Sequence, residues 1–108
     1  MTKKEYAYIV KDRLLVQINP KAVILFGSVA KGIDHDESDL DLLIVWDEKP
    51  ELANIKRRIY LRKIIGMMDL PVDLLTCTSQ ELSKAILDEE SFTSRILKEG
   101  EVIHGGLN

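Results

Sequence analysis

The chain has 108 residues, 45% hydrophobic and 31% charged, with a formal charge of −3. That length can bury one core without disulfide staples, so a single domain spanning residues 1–108 is expected, and the composition excludes a disordered or membrane-embedded class. The negative charge argues against non-specific nucleic-acid binding, which needs a surplus of Lys and Arg on at least one face.

The elements follow in chain order. Tyr6, Ile9, Val10, Leu14 and Ile18 recur at three- and four-residue spacing, which predicts a helix from Lys3 to Ile18 that Asn19-Pro20 ends. Ala22-Val23-Ile24-Leu25-Phe26 reads as a buried strand stopped by Gly27-Ser28. From Val29 to Ser38 a helical turn gives way to an acidic loop, Asp34-His35-Asp36-Glu37. A second strand is expected from Asp39 to Trp46. Asp47 would then cap a helix with Pro50 in its first turn, Leu52, Ile55, Ile59, Leu61, Ile64 and Ile65 as apolar positions, and Gly66 as its stop. Val72 to Thr76 is the third strand. Ser79 suits the N-cap of a helix carrying Leu82, Ala85, Ile86 and Leu87, and Phe92 to Lys98 makes a last short helix ending at Gly100. Whether residues 101–104 add an edge strand stays open. Helices alternating with strands give an α/β class, a small sheet covered by helices.

The start of the chain lacks the apolar stretch of about 7–15 residues that marks a secretion signal. No run reaches the roughly 20 apolar residues of a membrane span. Cys77 is the only cysteine, which fits a reducing compartment, and its neighbours Leu74 and Leu75 suggest a packing role. A cytoplasmic protein without membrane association is expected.

Chemistry concentrates in Gly27-Ser28-Val29-Ala30-Lys31-Gly32 and Ser38-Asp39-Leu40-Asp41-Leu42. Alternate residues of a strand share a face, so Asp39 and Asp41 project together while Leu40, Leu42 and Ile44 go to the other side. Two adjacent anions repel, and partial burial strips their hydration, so such a pair calls for a cation. Oxygen ligands favour a hard ion such as Mg²⁺, which fills its remaining positions with water and phosphate. On the alternative reading Asp39 caps a turn and Asp41 is a solvated edge-strand residue. Asp73, set into the apolar run Val72-Asp73-Leu74-Leu75, tips the balance: a neighbouring strand can bring it within about 5 Å of the pair. Ahead of the acidic strand, Gly27 permits close approach of a phosphate to backbone N–H groups and Ser28 adds a hydroxyl donor.

GSVAKG, five residues, then SDLDLLIV resembles the signature of the nucleotidyltransferases related to DNA polymerase beta, especially the minimal nucleotidyltransferases. The resemblance extends from the first helix to about Gly100. It implies a mixed sheet flanked by helices, triphosphate bound by Gly27 and Ser28, and Mg²⁺ (two ions) held by the catalytic carboxylates Asp39, Asp41 and Asp73. It also implies ATP as substrate. Two positions depart: the family frequently has Arg or Tyr where this chain has Val29, and Arg where it has Lys31. Lys31 keeps the nucleotide-binding charge without the planar fork of Arg.

Relatives of this length commonly act as antitoxins to a HEPN-domain protein, some by transferring AMP to a tyrosine of that partner. The resemblance therefore implies such a partner. Occlusion of the partner without catalysis, or transfer to a small molecule, are the alternatives, and homo-oligomerisation is left open. Lys56, Arg57, Arg58, Arg62 and Lys63 form a basic cluster on the long helix that reads first as a solvated face. Trp46 is expected in the core or an interface, and His35 in an exposed loop.

Overall fold

In the computed structural model, which describes residues 1–106, the elements run α1 (Lys3–Gln17), β1 (Ala22–Phe26), α2 (Gly27–Lys31), β2 (Leu40–Val45), α3 (Asn54–Ile65), β3 (Val72–Cys77), α4 (Ser79–Ala85), α5 (Phe92–Glu99) and β4 (Glu101–Gly105). The strands form one sheet in the order β3-β2-β1-β4. β1 is antiparallel to β2 and β4, whereas β2 and β3 are parallel and joined through α3. This is the expected α/β class, a small mixed sheet flanked by helices. Residues 101–105 settle the open question, because they pair with the otherwise free edge of β1.

Strand alternation divides the apolar residues between two layers. Val23 and Leu25 of β1, Leu40, Leu42 and Ile44 of β2, and Val72 and Leu74 of β3 face α1 and α3, and meet Ala7, Val10, Leu14, Leu61 and Ile65. Ala22, Ile24 and Phe26 face the other way with Leu43 and Val45, under Leu82 of α4 and Ile96 of α5. The first layer is broad and closed. The second is covered by two short helices, and Asp41 and Asp73 emerge on that thinner side, on the same faces of β2 and β3 as Leu43 and Leu75.

Several boundaries differ from the sequence expectation, each for a local reason. α1 begins with a capping box in which the Thr2 hydroxyl accepts from the Glu5 N–H and the Glu5 carboxylate from the Thr2 N–H, both at 3.1 Å. α3 starts at Asn54 rather than at an Asp47 cap, because Lys49 before Pro50 holds φ 54°, a left-handed conformation that a helix cannot include. Leu52 consequently precedes the helix, and Ile55 and Ile59 are exposed rather than core positions. The Asp47 carboxylate instead accepts from the N–H and hydroxyl of Ser79, both at 2.7 Å. The cap of α4 is Thr78, one residue before the expected Ser79, in a second capping box with Glu81. That helix ends at Ala85, so Ile86 and Leu87 fall beyond it, and Leu87 is 84% exposed.

The basic cluster on α3 divides. Arg57 is only 1% exposed, which corrects the solvated-face expectation for that residue. Its guanidinium lies 4.4 Å over the Trp46 ring and donates to the carbonyls of Trp46 and Glu48 and to Asn54 Oδ1. Arg62 donates to the Val72 carbonyl, fastening α3 to β3. Trp46 is fully buried, as expected, with Nε1 donating to Thr76 Oγ1 at 2.6 Å and Tyr60 stacked on the ring.

Candidate active site

Gly27 follows directly on the last residue of β1 and carries φ 74°, the left-handed region that favours glycine. A Cβ placed there would lie 2.2 Å from Asp41 Oδ2, so this position must be glycine for the Asp41 carboxylate to keep its place. The antiparallel register sets Asp41 opposite Phe26, and the parallel register sets Asp73 beside Asp41. The two carboxylates thus stand on adjacent strands at the same level, against the turn from β1 into α2. α2 is the predicted helical turn, and the N–H groups of such a first turn have no intrahelical partners. Gly32, at φ 73°, ends it by donating to the carbonyls of Ser28 and Val29.

Asp39 lies one residue ahead of β2, in the loop rather than in the strand expected to begin with it. The loop is pinned from below: Lys3 Nζ donates to the carbonyls of His35 and Ser38, the latter at 2.9 Å, and the Ser38 hydroxyl accepts from the His35 N–H. Asp39 adds to the negative field at Asp41. Partial burial, then Asp73, then Asp39 push the Asp41 carboxyl up to about 6. Burial likewise raises the half-buried Cys77 thiol to about 11, which fits packing and not nucleophilic chemistry.

A cleft of about 440 Å³ opens between this carboxylate pair and α5. Gly27, Asp41 and Asp73 form one wall and Phe92, Arg95 and Glu99 the other. Sequence reasoning missed the α5 wall. The available signal was the spacing of Phe92, Arg95, Ile96 and Glu99 along one helix face. Lys31 stands outside the cleft lining and pairs with Glu99 at 3.0 Å. Ser28 sits beside Gly27 in the first turn of α2. A larger depression of about 830 Å³ lies at the opposite end of the sheet, near Lys21, Asp47 and Glu48, away from the carboxylate pair.

The donor set fits a hard divalent cation: two aligned carboxylates, one with its proton affinity raised by burial and then by the other, and a glycine that leaves room beside them. Among the described residues no three acidic, His or Cys side chains converge on one point. A Mg²⁺ ion bound through one or two carboxylates takes its remaining oxygens from water and substrate phosphate, so a closed protein cage is not required.

The family described as Polymerase beta, Nucleotidyltransferase matches residues 10–105. The chain belongs to this nucleotidyltransferase family. It is 38% identical over 76 residues to a Methanocaldococcus jannaschii protein named "Putative protein adenylyltransferase MJ1379", covering 68% of this chain and 69% of that one. A second protein of that organism, "Putative protein adenylyltransferase MJ0141", is 40% identical over 73 residues, covering 68% of this chain and 65% of its own length. Two crystal structures share the fold. One, of a toxin-antitoxin with AMP-PNP, has a TM-score of 0.63 at 21% identity and covers 93% of this chain and 73% of its own. The other, a nucleotidyltransferase described as putative from Sulfolobus solfataricus, has a TM-score of 0.61 at 22% identity, covering 95% and 79%. No helix among the described residues is long and apolar enough to cross a membrane.

Proposed function

We propose that this nucleotidyltransferase moves AMP from ATP to a hydroxyl of a protein acceptor, a tyrosine of a HEPN-domain toxin, and thereby acts as its antitoxin. The observation that carries the reading is the Asp41–Asp73 pair, aligned on parallel strands against Gly27 with Asp41 raised to about 6. A fold that sets two like charges together without a protein cation leaves them to a ligand. The names of the two M. jannaschii relatives support a protein acceptor, and the AMP-PNP-bound toxin-antitoxin neighbour supports the partner class.

Asp41 and Asp73, with Asp39 at the strand entrance, would hold Mg²⁺. Bound there, the ion supplies positive charge to the α-phosphate under attack and to the leaving pyrophosphate. The chain's own residues do the positioning. Gly27 brings the backbone close to the triphosphate, Ser28 donates its hydroxyl to a phosphate oxygen, and Lys31 adds cationic charge nearby. The acceptor oxygen forms a bond to the α-phosphorus while the bond to the bridging oxygen of the β-phosphate breaks. Pyrophosphate leaves, and the hydroxyl proton passes to Asp73 or to water. Alignment and charge neutralisation supply most of the acceleration.

The test is incubation of the chain with its genomic neighbour and α-labelled ATP. Label on a tyrosine of the partner, dependent on Mg²⁺ and absent with Asp41→Asn, is the expected result. Full neutralisation of the partner by Asp41→Asn, without label, would overturn catalysis in favour of occlusion.

A further inference from the structure

The carboxylate wall accounts for half of the cleft. The other half comes from α5, where Phe92 and Arg95 lie one turn apart and both line the space facing Asp41 and Asp73. Phe92 is 61% exposed, an unusual position for a large aromatic, yet it is not loose. Its ring meets that of Phe26 edge to face, with centroids 6.2 Å apart, and Phe26 is the residue immediately before Gly27. The exposed ring is thereby anchored to the same short stretch that carries the candidate phosphate turn. Arg95 is exposed and forms no ion pair among the described residues, whereas Lys31, a cation near this end, is paired with Glu99. Arg95 is the only cation in the cleft lining.

A nucleoside triphosphate needs two things that the carboxylate wall does not provide: counter-charge for phosphate oxygens beyond those a metal neutralises, and an apolar platform for the base. We infer that Phe92 and Arg95 form the second wall of the nucleotide site, with the Arg95 guanidinium pairing with the triphosphate and the Phe92 ring stacking on the base. The assignment rests on the nucleotidyltransfer reading above and adds residues to that site. It also explains why α5 packs across β1 at this end while leaving its Phe92–Arg95 edge uncovered. A guanidinium suits the phosphate role because its planar fork can bond two oxygens at once.

Calorimetric titration of the full chain with two probes, ATP and inorganic tripolyphosphate, each with Mg²⁺, separates the two contacts. Arg95→Ala is expected to weaken both probes about tenfold, with Arg95→Lys recovering part of the loss, as for one charge-assisted contact. Phe92→Ala is expected to weaken ATP about five- to tenfold and leave tripolyphosphate unchanged, with Phe92→Tyr restoring ATP binding, as for stacking on one base. Circular dichroism of each variant checks that the fold is retained. If the parent chain binds neither probe, the nucleotidyltransfer reading falls and this wall with it. If the parent binds both and Asp41→Asn weakens them, while Arg95→Ala and Phe92→Ala bind like the parent, the reading stands and the α5 wall is wrong. Loss of ATP but not tripolyphosphate binding in Arg95→Ala would overturn the phosphate assignment. Equal loss of both probes in Phe92→Ala would overturn the base assignment.

Discussion

Charge enters this small domain beside both ends of β2, and the two ends handle it in opposite ways. Beyond the C-terminal end, Arg57 is buried against Trp46 and satisfied by two backbone carbonyls, Asn54 and the indole face, with only its Nε lacking a partner. At the N-terminal end Asp41 has Asp73 for a neighbour, a glycine at its back and no ion-pair partner among the described residues. Burying a charge is tolerable when the protein supplies complementary groups. Arg57 is thus absorbed into the structure, while Asp41 is left with a proton affinity that only a ligand can correct. The contrast separates an ionic group that stabilises the fold from one that, on the function proposed above, would be stabilised by substrate and metal.

The strongest way to break the comparison is at the carboxylates. Asp41→Asn and Asp73→Asn should each lower the rate of nucleotide transfer at saturating ATP by about a thousandfold, roughly 4 kcal/mol of transition-state stabilisation. Circular dichroism should be unchanged. Near-parental turnover of Asp73→Asn would make the third-strand carboxylate structural. At the other end the expected loss is in stability: Arg57→Ala removes the donors of the buried Trp46 carbonyl and the packing over its ring. The cost is about 3 kcal/mol in urea unfolding, with the transfer rate per folded molecule preserved. Gly27→Ala joins the two effects, since its Cβ meets Asp41 and its backbone holds φ 74°. About 2 kcal/mol of stability and most of the transfer rate should be lost together.

The smallest effect is a gain. In metal-free protein the folded state keeps the Asp41 proton up to about pH 6, while the unfolded chain releases it near 3.8. Folding therefore takes up a proton between those values. The penalty of the ionised pair is absent below the lower value, grows as pH rises through the window, and is complete above about pH 6. Asp41→Asn should be more stable than the parent at pH 7.5 by about 1 kcal/mol, the nominal shift being discounted for the solvent that reaches this side chain. The advantage should vanish near pH 4. A pH-independent difference would place its origin outside this ionisation.

Much of this arrangement was legible beforehand because it is local. The apolar runs around β1 and β2 and the Gly27-Ser28 punctuation each state their conformation within a few residues, whereas the alternation expected to start at Asp39 begins only at Leu40. Whatever depended on tertiary register was less legible. That Asp73 stands beside Asp41 follows from the parallel pairing of β2 with β3, which α3 sets and no short window contains. Arg57 lies in a basic run whose other members look alike in sequence, and only packing against Trp46 distinguishes it. The α5 wall was missed because Phe92 and Arg95 have the spacing of any amphipathic helix. β4 stayed open because Glu101-Val102-Ile103-His104 is short and puts one apolar and one polar residue on each face, so its pairing comes from the free edge of β1.

The central claim, that the Asp41–Asp73 pair is completed by metal and nucleotide, is tested most directly by thermal unfolding of the parent chain and Asp41→Asn with Mg²⁺ and ATP added separately and together. A ligand that binds only the folded state stabilises it by RT ln(1 + L/Kd), L being the free ligand concentration, and so raises the midpoint. The account predicts that the parent midpoint rises with Mg²⁺ and ATP together, more than the sum of the separate additions, and that Asp41→Asn, starting higher, rises little. Equal rises in the two proteins, or none in the parent, would contradict it.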